Sequence, residues 1–132
     1  MGKYILDTHA FLWTVYKDRN FKLGDLAKAA IEDLESELFI SSASIYEISN
    51  KYKKGKLPEY SIVAENCIAA INELGAIELP LDCEQADFAG KMEWEHKDPF
   101  DRMLAAQAQI KGLTLITCDE VFENAPGVAT LW

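Results

Sequence analysis

KYILDTHAFLW, residues 3–13, drives a short apolar run into an acid and then turns apolar again. Tyr4, Ile5 and Leu6 form a brief run of strand-forming residues with no polar alternation, the pattern of a strand covered on both faces. Asp7, Thr8 and His9 interrupt it before Ala10, Phe11, Leu12 and Trp13. A carboxylate at the end of a buried strand is costly unless the chain turns there or the charge has work to do.

The same arrangement returns near the other end of the chain. TLITCDEVF, residues 114–122, is an apolar run that closes on Asp119. Further strand-like runs lie at 38–41, 76–80 and 128–132, beside those at 3–7 and 114–118. Helical spacing fills the intervals. From 25 to 37, Leu26, Ala30 and Leu34 recur every four residues; from 43 to 53, Ile45, Ile48 and Tyr52 share a face. From 59 to 74, Ile62, Val63, Ala70, Ile71 and Leu74 make a stripe that Gly75 closes. From 99 to 111, Met103, Leu104, Ala108 and Lys111 follow helical spacing up to Gly112. Glycine just past a periodic segment is a helix C-cap signal. KYKKGKLP, 51–58, reads as a loop. Strands alternating with helices predict an α/β fold with a parallel sheet covered on both faces. In such a sheet, ligands bind beyond the carboxyl ends of the strands where the strand order reverses. If the first and fourth strands are neighbours there, Asp7 and Asp119 lie side by side.

Composition sets the bounds. The chain has 132 residues, of which 49% are hydrophobic, enough for one domain spanning 1–132 with its own core. No apolar run approaches the roughly 18 residues of a membrane span. The apolar stretch before Asp7 is too short for a signal-peptide core, so a cytoplasmic location and no membrane contact are expected. Cys67, Cys83 and Cys118 are odd in number and lack C-x-x-C spacing. They read as reduced thiols and not as a disulfide frame or a zinc site. A net charge of −9 disfavours sequence-independent nucleic-acid binding, so any such function needs a cation or a local basic patch.

Two more acids have unusual settings. Glu47 sits in the apolar helix ASIYEIS, and Asp101 lies in DPFDRMLAAQA. Each acid also has an ordinary reading. Asp7 and Asp119 suit strand-to-helix turns or N-caps. Asp98 suits an N-cap, with Pro99 at the first helical position and Asp101 in the first turn. Four acids beside apolar runs, two of them at strand ends, are harder to assign to structure together than singly.

ILDTHAFLW, SASIYEISNKYKKGKL, HKDPFDRMLAAQA and LTLITCDEVF resemble the four sequence blocks of the PIN-domain family, in the family's order and across nearly the whole chain. More narrowly, the D-T-H start and the D-P-F-D-R block are similar to VapC-like toxins of type II toxin–antitoxin systems. The resemblance, carried by those blocks, implies a three-layer fold with a five-stranded parallel sheet of order 3-2-1-4-5 flanked by helices. It implies a metal-dependent endoribonuclease using Mg²⁺ or Mn²⁺, inhibited by an antitoxin protein and itself a homodimer. By motif, Asp7, Glu47, Asp101 and Asp119 match the family's four acids, and Thr117 matches a hydroxyl that hydrogen-bonds within the site. Asp98 is then a capping or outer acid. His9 stands where another polar residue is usual, and a surface or capping role suits it.

The chemistry also stands on the residues. All-oxygen carboxylate sites suit Mg²⁺ or Mn²⁺. Two carboxylates about 4 Å apart repel by roughly 4 kcal/mol at an effective dielectric of about 20. A cluster therefore needs a cation or must hold a proton. On this reading Asp7 and Asp119 ligate metal directly or through water, while Glu47 and Asp101 hold a second metal or orient and deprotonate the attacking water. Lys51, Lys53, Lys54 and Lys56 serve either a helix C-terminus or a phosphate-contacting patch. Arg102 is expected to pair with a carboxylate.

Competing classes fail on specific residues. A response-regulator receiver wants an acid pair after strand one and a phospho-accepting Asp after strand three, where this chain has Pro80. An aspartyl phosphatase wants D-x-D after strand one, where position 9 is His. The alternative that survives is a PIN-fold nucleic-acid-binding or regulatory protein without catalysis. The inhibitor is expected in an apolar and acidic groove around Phe11, Trp13, Tyr16, Ile45 and Tyr52.

Overall fold

The computed structural model describes residues 2–132. Five parallel strands form one sheet: β1 (Lys3–Leu6), β2 (Glu37–Ser41), β3 (Ile77–Leu79), β4 (Thr114–Ile116) and β5 (Thr130–Leu131), in the order β3-β2-β1-β4-β5. This is the α/β architecture and strand order expected. β1 lies at the centre, with Leu6 in register with Ile40 on one side and Ile116 on the other. The strand order reverses between β1 and β4, so the residues that follow Leu6 and Ile116 emerge at the same edge.

Among the described residues, seven α-helices cover the sheet: α1 (Thr8–Val15), α2 (Asp25–Glu32), α3 (Ser42–Lys53), α4 (Ser61–Glu65), α5 (Cys67–Leu74), α6 (Cys83–Lys91) and α7 (Pro99–Lys111). Strand side chains alternate between the two faces. Leu6, Ile40 and Ile116 enter a core with Phe11, Leu12, Ala27, Ile48, Val63 and Ile71. Ile5 and Leu115 enter a second core with Leu104, Ala105, Ala108 and Phe122.

Several expected elements are revised. α2 stops at Glu32 rather than 37, and the row Leu26, Ala30, Leu34 is not its buried face. Leu26 is 63% exposed and Leu34 is 99% exposed, while the buried residues are Ala27 and Ala30, with Ile31 packed against the core beside them. The single helix expected over 59–74 is two, broken at Asn66, whose φ of −142° and ψ of 45° lie outside the helical range. Residues 51–53 are the last turn of α3, so the loop expected over 51–58 is shorter. Helices α1 and α6 were not anticipated. Gly75 and Gly112 do close α5 and α7, at φ 73° and 66°. That left-handed region favours glycine. Among the described residues, no helix is long and apolar enough to cross a membrane.

Candidate metal centre

Asp7 follows β1 directly and caps α1. Its Oδ1 accepts from the Ala10 amide at 2.8 Å, satisfying one of the helix's unpaired N–H groups. Its Oδ2 accepts from Thr117 Oγ1 at 2.6 Å. Thr117 follows β4 and is buried. The same hydroxyl oxygen accepts from the Asp119 amide at 3.1 Å, so one threonine ties the two strand ends together. Asp119 then caps the 3-10 turn Glu120–Asn124, its Oδ1 accepting from the Val121 amide at 3.1 Å.

The other two acids arrive on helices. Glu47 projects from α3 with its side chain only 12% exposed. Its Oε1 accepts from Thr8 Oγ1 at 2.6 Å, and its Oε2 pairs with Lys51 Nζ at 2.7 Å, one helical turn on. Asp98 caps α7 through the amides of Phe100 and Asp101. Pro99 occupies the first helical position, where a missing N–H costs nothing. Asp101 sits in the first turn, with Oδ2 at 2.7 Å from His96 Nε2.

Asp7, Glu47, Asp101 and Asp119 line one pocket of about 170 Å³, together with Asp98, Thr8, His9, Lys51 and Leu104. Thr117 stands behind Asp7. Among the described residues, Asp101 Oδ1 and Asp119 Oδ2 take no hydrogen bond from the protein. His9 is exposed on the pocket wall, its ring centroid 5.4 Å from that of Trp13.

The electrostatics are unfavourable to bare carboxylates. Burial pushes the Asp7 pKa up, against the hydrogen bonds of Thr117 and Ala10, and the Asp119 charge adds to the rise. Burial likewise pushes Asp101 to about 6, with Asp98 and Asp119 adding and His96 opposing. A cation would relieve both. The donor set consists of carboxylate oxygens from four elements, which suits Mg²⁺ or Mn²⁺. The residues present therefore fit a divalent metal, with Asp7, Glu47, Asp101 and Asp119 as its possible holders. His96, Asp98 and Asp101 also offer donor atoms within 4.8 Å of one another.

Three features escaped the sequence. His96, two residues before Asp98, is brought to Asp101 by a segment without regular structure. Lys51 faces Glu47, although the Glu–Lys spacing of four was a readable signal. Thr8 reaches Glu47 across 39 residues of sequence, which no local pattern reveals. Two expectations are corrected. Among the described residues, Arg102 pairs with no carboxylate. Its guanidinium donates to the carbonyls of Ala89, Met92, Trp94 and His96 at 2.6–2.9 Å, pinning the segment between α6 and α7. Phe11 is fully buried and lines no groove, and Ile45 opens on a separate apolar pocket with Ile68 and Ile71.

A family model of the PIN domain matches residues 4–128. No curated protein matches the chain by sequence. Among solved structures, VapBC2 from Rickettsia felis, bound to a DNA fragment from its promoter, is similar at a TM-score of 0.69 and 17% identity over 98% of this chain and 97% of that one. FitAcB from Neisseria gonorrhoeae is similar at 0.67 and 20% identity, over 98% and 96%. VapBC-5 from Mycobacterium tuberculosis, of the VapBC family of toxin–antitoxin systems, is similar at 0.62 and 18% identity, over 99% and 97%. At such identities the likeness is one of fold.

Proposed function

The chain belongs to the PIN domain family, and from that premise we propose that it is a divalent-metal-dependent endoribonuclease, the toxin of a toxin–antitoxin pair. The observation that carries the reading is the convergence of Asp7, Glu47, Asp101 and Asp119 on one pocket at the carboxyl edge of the sheet. Asp7, Asp101, Asp119 and Glu47 are the proposed metal holders. Bound there, Mg²⁺ or Mn²⁺ would make a bound water more acidic and stabilise charge on the phosphoryl oxygens.

The chain's own residues prepare that site. Thr117 and the Ala10 amide fix both oxygens of Asp7. Glu47, held by Thr8 and Lys51, and Asp101, held by His96, orient and accept a proton from the attacking water. Lys51 brings a positive charge to the pocket, and the exposed Lys53, Lys54 and Lys56 extend it along the end of α3. They offset locally the repulsion that a net charge of −9 exerts on an RNA backbone.

The chain works as one domain over 1–132 in the cytoplasm. It is a homodimer restrained by a cognate antitoxin, since an uncontrolled nuclease would attack the cell's own RNA. The structural relatives include toxin–antitoxin complexes, which supports a protein partner of this kind.

The test is cleavage of single-stranded RNA by the purified chain. Cutting should require Mg²⁺ or Mn²⁺ and stop with EDTA. Asp7→Asn, Glu47→Gln, Asp101→Asn and Asp119→Asn should each lower the rate by orders of magnitude while circular dichroism stays that of the wild type. RNA binding without cutting in either metal would leave the non-catalytic alternative in place.

A further inference from the structure

Beside the acidic pocket lies a larger one, of about 500 Å³, lined by Glu93, Trp94, Glu95, His96, Val121 and Asn124. Its volume is in the range of small-molecule sites, roughly 300–1,000 Å³. The two pockets have different linings, joined by contacts between one and the other. His96 reaches out of this one to Asp101, and Val121 lies in the 3-10 turn Glu120–Asn124 that Asp119 caps.

The lining has a consistent chemistry. Trp94 and His96 place their rings 5.0 Å apart, and Trp94 in turn rests on buried Phe122 at 5.8 Å. Val121 adds an aliphatic surface, and Asn124 and the two glutamates add polar groups. Phosphate is a poor occupant of a wall carrying Glu93 and Glu95. A planar uncharged ring is a good one, because it stacks on aromatics and presents N–H donors at its edge. The wall is also held in place: Arg102 anchors the carbonyls of Met92, Trp94 and His96, so Trp94 and His96 sit on a fixed segment.

We propose that this pocket receives one unpaired nucleobase of the RNA, stacked on Trp94 with the tilted ring of His96 against its edge, while the adjoining phosphodiester lies at the acids. The proposal rests on the ribonuclease reading. It also commits to a preference. Carboxylates accept hydrogen bonds, so Glu93 and Glu95 select a base with an exocyclic amino group, such as cytosine or adenine, over uracil.

The experiment uses the full chain carrying Asp7→Asn, in which cleavage is expected to be slower by orders of magnitude. Single-stranded octamers of adenylate, cytidylate or uridylate are titrated in with Mg²⁺, following fluorescence anisotropy of labelled RNA and quenching of tryptophan. Adenylate and cytidylate should bind more tightly than uridylate. Trp94→Phe should keep most of the affinity and remove most of the quench. Trp94→Ala should weaken binding about tenfold, the loss of one stacked base. Glu93→Gln with Glu95→Gln, both at exposed positions, should narrow the difference between cytidylate and uridylate. A quench that persists in Trp94→Phe, or a base preference unchanged in the double variant, would overturn the base pocket. Wild-type cleavage of RNA in that event leaves the nuclease reading intact. A wild type that cuts no RNA in either metal overturns both.

Discussion

Thr117 shows how much of the site depends on single atoms. Its hydroxyl donates to Asp7 and accepts from the Asp119 amide, so it sets the relative position of two acids 112 residues apart in sequence. Thr117→Val keeps the shape and removes both bonds, whereas Thr117→Ser keeps the oxygen. On the proposed function Asp7 holds metal, and losing the outer support of a metal ligand typically costs 10–100-fold in affinity or activity, so cleavage by Thr117→Val should fall by about that factor, with Thr117→Ser close to wild type. Asp101 carries a second consequence at this scale. Its pKa in the folded protein is about 6 against an ordinary 3.8. Between those values the folded state holds a proton that the unfolded chain has released, so this group's contribution to stability falls as pH rises through the window. In EDTA, Asp101→Asn should therefore gain in melting temperature relative to wild type as pH goes from about 4 to about 6 and hold that difference above it. A difference that does not change with pH would contradict the burial of this carboxyl.

At the scale of elements, what could be read from the sequence depended on contrast. β1 and β4 were legible because an apolar run stopped at an acid, and α7 because Asp98, Pro99 and Gly112 mark both its ends. α1 was not, since Ala10, Phe11, Leu12 and Thr14 are buried around most of its circumference and leave no one-sided stripe. α6 carries a readable signal at its start, where Asp82 and Gln85 form a reciprocal capping box. In α2 the row Leu26, Ala30, Leu34 holds only one buried residue, because the buried positions are the small Ala27 and Ala30 while the larger Leu26 and Leu34 dominate a pattern judged by hydrophobicity alone. The four acids were legible by their settings. The partners His96 and Thr8 are not legible, nor is the set of carbonyls that Arg102 holds, because those contacts join elements that only the fold brings together. Arg102 is the test of that joining. One guanidinium satisfies four carbonyls, a geometry that a lysine ammonium cannot copy. Both Arg102→Lys and Arg102→Ala should destabilise the protein by about 2–4 kcal/mol in urea unfolding, with lysine recovering little of the loss. Full recovery by lysine would mean that charge, and not the fork of donors, holds the segment.

At the scale of the whole molecule, the sheet order converts sequence distance into a site. β1 at the centre with β4 beside it puts Asp7 and Asp119 at one edge, and α3 and α7 bring Glu47 and Asp101 to the same pocket. The cost is visible in the raised pKa values of Asp7 and Asp101. A fold that gathers acids without enough cations to pair them should be stabilised by a cation that binds only the folded state. At a free metal concentration 100 times the dissociation constant, that stabilisation is about 2.7 kcal/mol. The most direct measurement is a titration with Mn²⁺ at constant ionic strength, following melting temperature and heat of binding for the wild type and Asp7→Asn. The expected result is saturable binding with a rise of several degrees in the wild type and a weak or absent response in Asp7→Asn. A wild type indifferent to millimolar Mn²⁺ and Mg²⁺, or an Asp7→Asn chain that responds equally, would contradict a metal centre built on these four acids.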